Sequence, residues 1–174
     1  MLLFAKSAID IYLIHFLFIL GVIYALISLF EFLGNSSSEK NYVKKTNSAA
    51  LIRQVIYWCK DEMGLPPNVK SIPEVKISYY KHQKYAGLYQ TQKQCIIIYP
   101  KSNDSLLKLV DSVIHEYVHF LEMRSPKDAI AYSKFQETHG YINNPYEVSA
   151  RKIAAEKRDL CMQYLLNNNF IIKA

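Results

Sequence analysis

The chain has 174 residues, a length for one ordinary domain plus a short extra segment at one end. Apolar residues make up 51% of it, which excludes a disordered polar chain, and three widely separated cysteines (Cys59, Cys95 and Cys161) argue against a disulfide framework and for free thiols in a reducing compartment. The formal net charge of +6 is spread along the sequence and comes with no nucleic-acid-binding motif, so no nucleic-acid partner is expected; such diffuse charge suits a position near anionic lipid headgroups.

Residues 11–30 contain no Asp, Glu, Lys or Arg, and Asp10 and Glu31 bracket them. Twenty residues at helical rise cover about 30 Å, the thickness of a bilayer's hydrocarbon core. The run is too long for a signal peptide and no A-x-A cleavage pattern follows it, so residues 1–33 are expected to be an N-terminal transmembrane anchor. Lys40, Lys44, Lys45 and Arg53 follow the run, against Lys6 before it, and the positive-inside rule then predicts a single-pass membrane protein with its domain on the cytoplasmic side. Residues 34–45 read as a polar linker, and residues 46–174 as the folded domain.

The domain opens with a helix: Leu51, Ile52, Val55, Ile56, Cys59 and Met63 recur at helical spacing, and Gly64 with Pro66 and Pro67 ends it. Residues 75–80, 85–90 and 95–99 read as strands, the second weakened by Gly87 and the third stopped by Pro100. Asp104 or Ser105 caps the next helix, whose apolar positions run from Leu106 to Leu121. A short helical stretch at 128–135 and a loop at 138–141 precede a last long helix from Asn144-Pro145 to about Leu166. Helix, strands, then helices indicate an α+β domain.

The central helix carries His115-Glu116-Tyr117-Val118-His119, an H-E-x-x-H motif. Residues four apart on a helix face the same way, so both imidazoles can bind one Zn2+, while Glu116 stands beside the ion as a general base. A chance match on an amphipathic helix would leave these polar residues facing solvent, yet they sit between Val113-Ile114 and Phe120-Leu121. A catalytic zinc site needs a third protein ligand. Glu122 and Ser125 stand where an H-E-x-x-H-x-x-G-x-x-H pattern would require Gly and His, which leaves Glu147 on the following helix, with His139 and Glu156 as alternatives. Glu147 also occupies the capping-box position after Asn144-Pro145 and would be at home there without a metal. His139, Tyr141 or Tyr146 could donate a hydrogen bond to a developing oxyanion, and Arg151 could orient Glu147.

Strands, an H-E-x-x-H helix and a later helix bearing Glu147 with Ala150 resemble a minimal gluzincin-type zinc metallopeptidase. The resemblance covers residues 75–156 and implies a zincin-like domain with a small β-sheet, zinc on His115, His119 and Glu147, and Glu116 as general base; His139 is expected beside it as a second catalytic group. It also implies that the strand before the active helix, residues 95–99, forms the cleft edge and pairs with an extended peptide or protein substrate. The sequence lacks the N-E-x-x-x-D form of the third-ligand motif, having Asn-Pro-Tyr-Glu-Val-Ser-Ala instead, so substrate preference does not carry over. The expected function is membrane-anchored, zinc-dependent peptide hydrolysis; the alternative is a catalytically inactive module that keeps the fold for binding or regulation.

Overall fold

The computed structural model describes residues 22–23, 42–44 and 46–173. The chain divides into two compact units, 1–40 and 41–174. In the first, Val22 and Ile23 are helical and exposed.

In the second unit, β1 (Tyr42–Lys44) lies within the stretch read as linker and pairs antiparallel with β5 (Ile171–Lys173). Helix α1 (Ser48–Met63) starts where the Asn47 side chain accepts from Ala50 N at 2.8 Å, and ends at Gly64, whose φ of 78° suits a residue without Cβ. Its buried face, Leu51 to Cys59, is the one its periodicity marks.

The strands β2 (Glu74–Ile77), β3 (Gly87–Gln90) and β4 (Cys95–Ile98) form one sheet in the order β2-β4-β3, with β4 parallel to β2 and antiparallel to β3. The 95–99 segment is therefore the centre of the sheet, not the cleft edge. The nearly continuous apolar run of Cys95 to Ile98, mostly buried, is what a central strand requires. The edge position next to the helix bearing His115 and His119 falls to β3. Tyr99 N donates to Ala86 O, so residues 86, 88 and 90 turn their backbone groups to β4, and Gly87 and Tyr89 turn theirs to the open edge.

Helix α2 (Leu106–Glu122) is capped by Ser105, whose hydroxyl accepts from Lys108 N. It runs through the middle of the unit, buried at ten of its positions, and packs on α1, on the sheet and on α4 (Pro145–Asn167). Where a short helix and a loop were expected, helical backbone, α3, spans Pro126–Asn143 and is interrupted at Gly140 (φ 73°, ψ 170°), inside the expected loop. Pro126 at its first position and the Ser125–Asp128 capping box start it early, and the expected loop contracts to this kink. The core joins α1, α2 and α4 to Tyr89, Ile96 and Ile98 of the sheet.

Among the described residues no helix is long and apolar enough to cross a membrane. α1 and α2 are shorter than a span requires, α3 carries Lys127, Asp128, Lys134 and Glu137, and α4 is charged from Glu147 to Asp159. The expected transmembrane helix and single-pass membrane placement are thus unsupported, and the fold class is corrected to α+β, with a three-stranded sheet, a two-stranded sheet and four helices among the described residues of 41–174. Residues 11–30, on which that expectation rested, lie outside the described residues apart from Val22 and Ile23.

Candidate metal centre

One helical turn of α2 brings the His115 and His119 rings edge to face, centroids 4.7 Å apart, with their Nε2 atoms 3.0 Å from each other. The third group comes from the first turn of α4. Ala150 and Ala154 are fully buried on the face that meets α2, and these small side chains let the two helices approach. Glu147 then reaches across: Oε2 lies 3.2 Å from His115 Nε2 and Oε1 lies 3.2 Å from His119 Nε2. Asn144 caps α4, accepting from Tyr146 N at 3.1 Å, so the capping role is filled by backbone and Asn144 and the Glu147 carboxylate is free to face the imidazoles.

These residues fit a divalent cation. Ligand atoms about 2.1 Å from a tetrahedral zinc stand about 3.4 Å apart, close to the spacing of this triangle. Glu147 is 2% exposed, yet its Oε2 accepts no hydrogen bond from any described residue. His115 Nε2 at 3.2 Å and Arg151 Nη1 at 3.9 Å are its polar neighbours, and a cation against this buried oxygen would supply the close partner it lacks. Among the described residues, this is the cluster of His, Cys, Asp and Glu with the spacing of a metal site.

Burial disfavours the charged form of Glu147, but the neighbouring His115 and His119 imidazoles and the Tyr132 hydroxyl outweigh it and hold its carboxyl well below the usual range. Burial likewise opposes a charge on His115, and Glu147, Glu116 and Asp111 overcome it, raising its pKa. For Glu116 burial wins: its pKa rises, against the two imidazoles and the Tyr89 N–H that favour its ionised form. Glu116 is pressed against the open edge of β3. A Cβ on Gly87 would stand 2.6 Å from Glu116 Cγ, so only glycine allows this approach.

A cavity of about 190 Å³ lies over the cluster, lined by His115, Glu116, His119, Glu147, Tyr132 and Tyr141 together with β3. The chain matches no known protein family, no curated protein and no solved structure. The local geometry therefore carries the functional argument alone.

Of the residues singled out from the sequence, His115, His119, Glu147 and Glu116 come together. His139 does not join them. It is exposed, and its neighbours are Thr138, 2.7 Å away, and the Phe135 ring. Glu156 is exposed on α4. Tyr141 lines the cavity, and the pKa of its hydroxyl is raised by burial and by Glu147. Arg151 Nη1 is 3.9 Å from Glu147 Oε2 and its other amino group donates to the Ile142 carbonyl, so it braces the kink as well as the carboxylate. Two residues were missed. Tyr132 donates to Glu147 Oε1 at 2.7 Å and is itself fixed by Asn144 Nδ2, which donates to its carbonyl at 3.1 Å. Nothing in the local pattern marks Tyr132. Gly87 did carry a signal, since a glycine inside a strand marks close approach as readily as a bulge.

Proposed function

We propose that this chain is a zinc-dependent peptidase, with His115, His119 and Glu147 as the metal-holding set and Glu116 as general base. The observation that carries the reading is the convergence of two imidazole nitrogens and a carboxylate at 3.0–3.2 Å, with a second buried carboxylate in the same cavity. Two histidines and one carboxylate also suit other metals, iron among them. The H-E-x-x-H spacing, which places a base next to the ligands, favours zinc. When bound, zinc supplies a Lewis acid for the scissile carbonyl and brings the pKa of water down to roughly 7.

The chain's own groups divide the remaining work. Gly87 offers an outward backbone N–H and carbonyl, and Tyr89 an outward carbonyl, to an extended peptide, which would add to the sheet at β3, while the Tyr89 N–H is held by Glu116. Glu116 takes a proton from the attacking water and passes it to the nitrogen of the breaking C–N bond, leaving a carboxylate and an amine. Of the three candidate oxyanion donors, His139, Tyr141 and Tyr146, Tyr141 takes the role, because it alone of the three lines this cavity. Tyr132 is a positioning residue, holding Glu147 through Oε1.

Elemental analysis of the purified chain tests the reading. One zinc per chain is expected, lost in His119→Ala and Glu147→Ala. Glu116→Gln should retain the zinc and lose about 10²–10⁴-fold in turnover on peptides. Hydrolysis at the wild-type rate by Glu116→Gln would remove the general-base assignment, and iron in place of zinc would remove the peptidase reading.

A further inference from the structure

We propose that the protein selects acidic substrates, recognising a stretch of Asp and Glu in a peptide or protein on the lysine- and tyrosine-rich face of the link between β2 and β3. The proposal rests on the peptidase reading above and names the substrate class of that same site.

Residues 78–86 join β2 to β3 and include Tyr79, Tyr80, Lys81, His82, Lys84 and Tyr85, with no acidic residue among them. Tyr79, Tyr80 and Tyr85 are 53%, 58% and 42% exposed. A surface link of this length is ordinarily mobile, yet this one is tied down. His82 is its anchor. Lys84 N and Tyr85 N both donate to His82 Nδ1, at 3.2 and 3.0 Å. His82 N donates to Ser102 Oγ at 2.8 Å, and that hydroxyl donates back to the His82 carbonyl at 3.2 Å. The His82 ring lies 4.8 Å from the buried Tyr99 ring and 4.9 Å from Tyr85, and the Tyr80 ring lies 5.3 Å from Tyr99. Tyr80 and Tyr85 are thus exposed and held in place at once. Such tyrosines suit a binding face, because they offer wide contact at little entropic cost.

Charge and hydrogen-bonding chemistry select the partner. Lys81 and Lys84 stand on the link and Lys101 stands next to Ser102, all three exposed. Among the described residues none of the three pairs with a carboxylate. The acidic groups of the neighbouring segments already face cations: Glu74 lies 3.4 Å from Lys76, Asp104 2.9 Å from Lys108 and Asp111 3.7 Å from Arg158. Ammonium groups only donate hydrogen bonds and tyrosine hydroxyls can turn to donate, so the matching partner is one that only accepts, a row of carboxylates. No arginine lies between residues 78 and 103, so the planar fork that favours phosphate is missing. Continuity with the metal cluster favours a peptide. Tyr85 and Gly87 line both the cavity over the cluster and a neighbouring one of about 240 Å³, whose wall includes Lys84 as well as Asp111. A substrate chain leaving Glu116 on this side meets Lys84 and Tyr85, with Lys81 and Lys101 beyond them.

The test uses the full chain loaded with zinc and two labelled peptides with a common centre, one flanked by Asp and Glu, the other by Asn and Gln. Binding is read by fluorescence anisotropy with Glu116→Gln, so that the probe stays whole, and turnover by mass spectrometry with the wild type. The acidic peptide should bind and be cut about tenfold better, and the gap should close as salt rises, because exposed cations each contribute modestly and are screened. The double variant Lys81→Glu, Lys84→Glu alters exposed positions only. It should keep its zinc and reverse the order of the two peptides. No difference between the peptides, or a preference unchanged in the double variant, would overturn the proposal. Tighter binding of a single-stranded oligonucleotide than of the acidic peptide would overturn the peptide as the occupant. An acidic preference in binding with neither peptide cut would uphold the acidic-binding face and overturn the peptidase reading itself.

Discussion

Gly87 and Glu116 are separated by 29 positions in the sequence and by less than the width of a methyl group in space. Gly87→Ala must therefore move either the Glu116 side chain or the edge strand. Glu116 is not one of the three groups proposed to hold the metal, so on the proposed peptidase reading the variant should keep its zinc while its kcat/KM on peptides falls about 10²-fold, the scale of loss for a misplaced catalytic group. Unaltered kinetics would show that Glu116 is not required in its present position. Tyr132 offers the opposite pattern. Tyr132→Phe removes one hydroxyl and leaves the ring, so Glu147 loses the donor on Oε1. Zinc affinity, measured by competition with a chelator, should weaken about 10–100-fold, and an unchanged affinity would limit Tyr132 to packing.

At the level of elements, the site depends on how closely α2 and α4 approach. Ala154 is fully buried in that contact, two turns beyond Glu147. Ala154→Leu should cost about 1–3 kcal/mol of stability, read from urea unfolding, because a close-packed interface has no space for the added atoms. A variant as stable as the wild type would mean that the helices separate freely. The same contact shows what was legible in the sequence. α1, α2 and α4 announce themselves by apolar spacing and by Asn47, Ser105 and Asn144 as caps, because these signals are local. The convergence of His115, His119 and Glu147 was legible for the same reason: the two histidines share one helix turn, and Glu147 stands next to small residues at helical spacing. Strand order was not legible. Whether 87–90 or 95–98 forms the edge is decided by β2 inserting its pairing in parallel on the far side of β4, a contact about 20 residues away in the chain. The break expected at 138–141 is present at Gly140, but helical backbone resumes beyond it and begins earlier than expected, at Pro126, and the Tyr132 contact with Glu147 was not legible because it joins two elements.

For the whole molecule, the buried thiols set a pH limit. Burial, and for Cys59 the nearness of Cys161, raises both pKa values above that of an unfolded cysteine, about 8.5. A group that holds its proton more tightly when folded contributes stability that is complete below its unfolded pKa and is lost as pH rises towards its folded one. The Tm should therefore fall between pH 8 and 9.5, below the range in which tyrosines ionise, and the fall should be shallower in the Cys59→Ala, Cys161→Ala double variant. Equal slopes would assign the loss to other groups.

The pairing of β1 with β5 sets Tyr42 opposite Lys173 and Lys44 opposite Ile171. The path from one strand to the other is consequently a ring, fastened by hydrogen bonds instead of a covalent link. A short peptide joining those two strands would close it, and fresh ends could be opened at the exposed turn around Asn68, in a stretch that holds none of the four site residues. The backbone could thus be re-ordered by circular permutation, with β2 leading and α1 trailing, while His115, Glu116, His119 and Glu147 keep their places.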